Sequence, residues 1–465
     1  MNDFSRGVSH KSKGFVKFSL AAALVAGSFS TLNAAKFLEE AIKNVEVSGF
    51  AWYRYDSGRF TKGSDYDLNG GSGDANGGGI NRPQNHWFRL AVTAKVDMGD
   101  GFRAVGTVVN QTFNHSFAEK SYAQGAVVNA AVNLREAYLQ YDNADAGLTL
   151  AVGRQNLVGI MWANNTAAML ANVVFRPTDG ISILAYGIDS FMSNDPSGAS
   201  FSPYTRNGVF TQATELDTRL YKENLYGAAV LGNFGPIKTE IWGAAWDKTA
   251  TLYALKFDYK LDFGERNAFK IHANYLGNVI DGVFQSDIKK TLSVSENQLS
   301  NGNLANLKFA VQVADFDANV GGIFFGEKKK YSLNTIQEPF GNDHADLYIS
   351  SEIFYQKGSW AVLSKGRNIY GYLGAGYTLP ADIRVGIRGV YGETKMAGVD
   401  TVQDAKDGAG TKVEGMAELG WKVNRNLNFL AYYSYLQTTA EKGVASGEDA
   451  KSIKNTFRVQ AKYNF

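Results

Sequence analysis

The chain has 465 residues with 47 Lys plus Arg against 45 Asp plus Glu, 50 Gly, 7 Pro, 24 Tyr, 29 Phe and no Cys. Without cysteine there are no disulfide scaffolds, thiolate metal sites or cysteine nucleophiles, and a formal charge of +2 spread without a basic block leaves no nucleic-acid footprint. An aromatic content of 13% excludes a disordered chain, and a mean hydropathy of −0.22 with this much Gly, Tyr and Phe suits many short half-apolar strands joined by Gly-rich loops.

The N-terminus reads as an export signal. Arg6, Lys11, Lys13 and Lys17 precede an apolar stretch, FSLAAALVAGSF (18–29), and a small-residue segment, TLNAA. The apolar stretch is too short to span a bilayer as a helix, so residues 1–34 are expected to be a cleaved signal peptide and 35–465 the mature domain. Removing four bases and one acid from 47 and 45 leaves 43 and 44, a mature net charge of −1. No later window is long and apolar enough for a transmembrane helix.

From residue 45 onward the dominant period is two. In 86–98, Phe88, Leu90, Val92, Ala94, Val96 and Met98 share one face, opposite Trp87, Arg89, Thr93, Lys95 and Asp97. Tyr253, Leu255, Phe257, Tyr259 and Leu261 likewise oppose Lys256, Asp258 and Lys260, and the pattern recurs at 269–275, 305–313 and 413–421. Alternation over 9–11 residues or more, apolar against charged, is the signature of strands that meet lipid on one side and water on the other. Connections alternate too. Short ones fall at 99–101, 142–147, 177–180, 234–236, 315–317, 379–382 and 423–426; long polar ones at 57–85, 192–223, 279–303, 327–366, 396–411 and 437–452. The pattern predicts an all-β, transmembrane antiparallel barrel of about eighteen strands, with short periplasmic turns and long extracellular loops.

The first long loop holds Asp65, Asp67 and Asn69 in D-x-D-x-N-G spacing, half of an EF-hand loop. Position twelve is Asn76 rather than Glu and no helix flanks it, so the motif reads as a solvated loop or a weak calcium site; no cofactor is otherwise required. Inward-facing candidates by alternation are Arg89, Lys95, Arg103, Lys256, Lys270, Lys308, Arg384, Arg388, Lys412 and Arg458. The acids among them are Asp97, Glu136, Glu240, Asp258, Glu414 and Glu418. Arg135, Glu136, Arg384 and Arg388 are the constriction candidates, because facing charges of opposite sign set a transverse field across a pore. At the C-terminus Phe457, Val459, Ala461, Tyr463 and the terminal Phe465 share a face. An aromatic–x–Phe ending resembles the signal read by the outer-membrane barrel assembly machinery, with Phe457, Val459, Tyr463 and Phe465 as its elements. There is no G-x-S-x-G or H-E-x-x-H, and the five His are scattered, so no enzyme is expected.

Several segments resemble the Campylobacter-type major outer membrane porins: FLEEAIKNVEVSG (37–49), AVGRQNL (151–157), ILAYGIDSFM (183–192), NLYGAAVLG (224–232), NYLGN (274–278), GGIFFGEKK (321–329), GRNIYGYLGAGYTL (366–379) and RVGIRGVYGETK (384–395). They occur in family order over nearly the whole mature chain. The resemblance implies an eighteen-stranded, trimeric, water-filled general porin whose third loop folds inward to form the eyelet. By the resemblance that loop is residues 156–172, and its polar groups are Asn156, Asn164, Asn165, Thr166 and Asn172, with Met161 and Trp162 as bulk. Related porins carry a carboxylate where Asn164 stands, so this loop is expected to filter by size rather than by charge. The expected function is passive diffusion of ions and small hydrophilic solutes, in contact with outer-membrane lipid and lipopolysaccharide and with no nucleic-acid partner. The alternatives are a channel selective for carboxylated solutes and a structural or adhesive surface barrel.

Overall fold

The computed structural model describes residues 45–62, 85–115, 132–162, 167–192, 223–286, 299–333, 363–395, 410–440 and 451–465. Residues 1–34, expected to be a signal peptide, and the calcium candidates Asp65, Asp67 and Asn69 lie outside them, as do Asn164 and Asn165 of the third loop.

In chain order the strands are β1 (Val45–Lys62), β2 (Asn85–Gly99), β3 (Phe102–His115), β4 (Val132–Asn143), β5 (Leu148–Asn156), β6 (Ala167–Thr178), β7 (Ile181–Met192), β8 (Leu225–Phe234), β9 (Ile237–Trp246), β10 (Ala250–Gly264), β11 (Asn267–Ile280), β12 (Leu299–Ser300), β13 (Asn303–Val313), β14 (Phe316–Phe325), β15 (Tyr331–Leu333), β16 (Leu363–Lys365), β17 (Arg367–Leu379), β18 (Ile383–Lys395), β19 (Gly410–Lys422), β20 (Leu427–Ala440) and β21 (Lys451–Asn464). Eighteen of them form one sheet in which each barrel strand pairs antiparallel with its neighbours in sequence, and β21 pairs back onto β1. The sheet is closed, so every backbone group has a partner inside the bilayer and no strand edge is left. The small sheet β12–β15–β16 sits apart, built from segments of two long loops that periodicity does not reveal.

Closure is finished by the terminal residue. Phe465 donates its backbone N–H to the Gly49 carbonyl at 3.0 Å, and Gly49 returns one at 2.9 Å. A Cβ at Gly49 would stand 2.8 Å from the Phe465 ring, so a glycine is required where the last side chain crosses the first strand.

The period-two alternation sets which face meets lipid. Along β17, Ile369, Leu373 and Tyr377 are exposed while Asn368, Tyr370 and Tyr372, on the alternate positions, are buried. Leu150, Val152, Ile241, Leu255, Val320 and Ile387 continue this exposed apolar belt. So large an apolar surface is unsuited to water and matches the lipid-facing band of a barrel.

Turns and loops alternate as expected, with three corrections. The turn before β14 ends at Asp315, which places Asp317 on the strand rather than in the connection. The long-loop end carries one short link, residues 247–249 between β9 and β10, where the Asp247 and Thr249 amides close tight bonds to Asn224 and Trp246. A long connection over 116–131, absent from the expected set, joins β3 to β4.

Candidate channel constriction

The inner wall has two contrasting sectors. On β7 to β10 the half toward the long loops is apolar, and on β11, β13, β14 and β17 apolar residues alternate with the buried Asn274, Asn278, Asn306 and Asn368. Tyr186, Leu225, Trp242, Trp246, Leu276 and Phe325 belong to one buried cluster there. This departs from a uniformly polar lumen, and its cause lies in the sequence: IWGAAW of β9 is apolar on both faces, with Ile241 exposed outside and Trp242 buried inside. An apolar inner wall has to be covered, and the third extracellular loop covers it.

That loop runs over 157–166, shorter than the 156–172 expected. Asn156 closes β5, and Asn172 belongs to β6, where its amide donates to Gln155 at 2.8 Å across the inner face. Ile160, Met161 and Trp162 are buried in the apolar cluster, so Trp162 is a wall anchor and does not stand in the channel as pore-lining bulk. Its ring meets Tyr186 edge-on at 5.9 Å, and Tyr186 in turn packs 6.0 Å from Trp242. Gly159 makes the approach possible. It holds φ +107°, and a Cβ there would lie 2.3 Å from the Trp242 ring.

Two carboxylates tether the loop. Glu136 on β4 accepts the Asn156 amide at 3.1 Å and the Thr107 hydroxyl at 2.6 Å. Glu240 on β9 accepts the Ile160 amide at 3.3 Å and the Trp242 indole at 2.8 Å, with Lys256 at 3.3 Å as its counter-ion. The loop therefore lies inward along the wall, held at Asn156 and again at Ile160 by charge-assisted hydrogen bonds.

The facing sector is cationic. Arg135 and Glu136 are consecutive, so strict alternation would send them to opposite faces. The register between β3 and β4 slips there: Thr107 pairs with Glu136 and Val108 with Leu134, leaving Arg135 as the extra residue of a bulge. Arg135 turns inward, donates to the Asn156 side chain at 2.8 Å, and comes within electrostatic reach of Arg89. Next along the wall, Arg54 lies 4.7 Å over Trp52 and 5.1 Å over Trp87, Arg89 lies 5.7 Å over Phe50, and Arg458 lies 5.2 Å over Tyr432. The registers place these side chains on β21, β1, β2 and β4, with β3 between the last two, and set Trp52 opposite Arg89 and Arg54 opposite Trp87. Aromatic platforms fix the guanidinium planes and leave their charge intact. Alternation found Arg89 and Arg458; Arg54 was missed because its strand reads as aromatic rather than amphipathic.

Arg384 and Arg388 do not act at one level. Arg384 is the second residue of β18, directly after the turn at Pro380–Asp382, so it belongs to the periplasmic end and not to the constriction. It holds Asp317 through two bonds of 2.7 Å and also pairs with Glu418. Arg388, four residues further along the strand, reaches the other oxygen of Glu418 at 2.8 Å. The Glu418 side chain is only 5% exposed, against 30% and 25% for the two arginines. Glu418→Gln should therefore cost about 1–3 kcal/mol, read as a lower temperature at which the folded band is lost on an unheated-to-heated detergent gel series. An unchanged transition would mean that this triad contributes nothing to the barrel.

Among the described residues no group of His, Cys, Asp or Glu is arranged to hold a metal ion. Phe457, Tyr463 and Phe465 are exposed on the outer face, and Val459 lies between them on the same face, beside the β1 seam.

A family model, the Campylobacter major outer membrane protein, matches residues 13–463. No curated protein matches the chain. Among solved structures it is similar to Pseudomonas aeruginosa OccK2 (OpdF) in complex with glucuronate, at 11% identity and TM-score 0.60 over 91% of this chain and 99% of that one. It is also similar to P. aeruginosa OccK3 (OpdO), at 10% identity and TM-score 0.58 over 94% and 99%. Acinetobacter baumannii OccAB4 matches at 12% identity and TM-score 0.56 over 91% and 98%. At these identities the likeness is one of fold.

Proposed function

The chain belongs to the Campylobacter major outer membrane protein family and is a porin of the bacterial outer membrane, and from that premise we propose that its channel is a general diffusion pore narrowed by the third loop. The observation that carries this reading is the docking of Ile160, Met161 and Trp162 on the apolar inner wall, which leaves the cationic sector facing the open part of the lumen. A loop laid along one wall reduces the cross-section without blocking it, and a charged, hydrated remainder passes ions and small hydrophilic solutes. The constriction then lies between residues 157–166 and the wall carrying Arg54, Arg89, Arg135 and Glu136. Asn156 and Asn172 flank the loop on β5 and β6, Asn164 and Asn165 belong to its undescribed part, Arg388 lines the wall above Glu418, and Arg384 anchors the periplasmic rim.

Liposome swelling tests the reading. Neutral sugars and their carboxylated forms should enter at comparable rates set by size. A preference of about tenfold for glucuronate over glucose would replace it with a carboxylate-selective channel, which the guanidinium arc favours. Absence of any conductance would leave a structural or adhesive barrel.

Around the channel we place a cleaved signal peptide at 1–34, a homotrimer, contact with lipopolysaccharide, and recognition of the C-terminal strand by the assembly machinery. None of these roles requires catalysis. Calcium at Asp65, Asp67 and Asn69 remains a proposal of the sequence motif, to be read by calcium titration of the purified barrel. For the C-terminal signal, Phe465→Ala keeps the backbone pair with Gly49 and removes only the ring. Assembly in cells should fall several-fold while refolding in detergent stays near wild type. Equal losses in both would make the ring a packing element and not a signal.

A further inference from the structure

On the periplasmic side of the channel, under β9, β10 and β11, lies a cavity of about 500 Å³ opening beside the turn at Gly235 and Pro236. Its charged lining comprises Lys238, Asp258, Lys260, Asp262 and Lys270, with His272 beside them. The acids are already engaged. Asp258 takes the His272 Nδ1 at 2.9 Å and Lys256 at 3.3 Å, and Asp262 takes Lys260 at 2.8 Å. Lys238 and Lys270 enter no ion pair among the described residues. Moreover, Lys260 and Lys270 are direct cross-strand partners, and Asp258, the direct partner of Lys238, is turned to other groups. Like charges placed opposite each other on a sheet repel, and the arrangement is relieved when an anion lies between them. One strand further on, Lys308 pairs with His272, so β9, β10, β11 and β13 carry five lysines (Lys238, Lys256, Lys260, Lys270 and Lys308) against Glu240, Asp258 and Asp262 in this band.

We propose that this cavity is a binding station for a small doubly charged oxyanion at the periplasmic exit of the pore, with Lys238 and Lys270 as its principal ligands. It deepens the porin reading by naming a solute class that is held briefly on its way through, and it rests on that reading. The site is separate from the constriction: it lies below Glu240, toward the short turns, and uses none of the arginines facing the third loop. Its lysines extend from rigid strands into a concave, partly enclosed space, where a charge-assisted contact is worth more than on an open surface.

Inorganic phosphate is the probe. Single channels are recorded in potassium chloride at fixed ionic strength, with phosphate added to one compartment at a time. Because the chain has no cysteine of its own, Glu265→Cys on the β10–β11 turn and a membrane-impermeant thiol reagent report which side carries the turns. Phosphate from the turn side should reduce the current at a lower concentration than phosphate from the loop side. In the Lys238→Gln, Lys270→Gln double variant the half-blocking concentration should rise about tenfold, the loss expected for two charge-assisted contacts. Block that is equal from both sides, or that is unchanged in the double variant, overturns the station and leaves the porin standing. A chain that does not conduct at all overturns the porin reading, and the station with it.

Discussion

Gly159→Val should convert a steady channel into one that closes frequently. Gly159 sits at φ +107° with the Trp242 ring where a Cβ would have to be, 2.3 Å away. A β-branched residue there carries both backbone strain and a clash, about 1–3 kcal/mol against the docked loop. That is a factor of roughly ten to a hundred in the ratio of docked to undocked states. The tethers at Glu136 and Glu240 and the burial of Trp162 favour docking, so the variant should still fold, with its loop leaving the wall for a measurable share of the time. An undocked loop has nowhere to go except into the lumen, so single-channel recordings should show the open level interrupted by long closures. Val158→Ser is the control: Val158 is 70% exposed and is not part of the buried cluster on the wall. If Gly159→Val conducts as steadily as wild type, the loop does not depend on this approach to Trp242.

The second large effect concerns ion choice. Replacing Arg54 and Arg89 together by Gln should raise the potassium-to-chloride permeability ratio by about fivefold at 0.1 M salt, and by much less at 1 M. Two unit charges acting over roughly 8 Å of water contribute about 0.5 kcal/mol each, with opposite sign for the two ions, and a Debye length of about 10 Å at 0.1 M removes part of that. The acids at this height do not offset the arginines freely, because Glu136 and Glu240 are committed to the loop and to Lys256. Reversal potentials in a salt gradient measure the ratio, with the heat-dependent gel shift confirming that the variant barrel is folded. A ratio that does not move would place the selectivity determinant away from this wall.

How far the sequence carried the structure can be followed residue by residue. The lipid belt and the lumen charges were legible because a strand turns its side chains over every residue, and the bilayer leaves one face no choice but to be apolar. Arg89, Lys256, Arg388 and Glu418 all point inward on that basis alone. Arg135 was chosen for its charge, but what brings it inward beside Glu136 is a bulge, and a bulge has no period to read. Trp162 looked like bulk for the pore because a loop residue carries no face; only the apolar inner half of β9 shows that it has a wall to bury against. Arg384 was placed too high although its own turn, LPAD, was visible two residues upstream. Asp317 was lost to an overlong turn, and with it the partner that explains Arg384.

The pairing of Phe465 with Gly49 bears on the order of events in assembly. The two residues are more than four hundred positions apart, yet they form the last rungs of the same seam. Neighbouring strands in this sheet are linked by local hairpins that can form as soon as both strands exist, but the β1–β21 ladder has the longest loop closure in the molecule. Until it forms, both strands present open edges that lipid cannot satisfy. The β1–β21 seam is therefore a kinetic checkpoint: both open edges have to be kept covered until β21 reaches β1. A truncation at the C-terminus should accordingly produce aggregates rather than a smaller barrel.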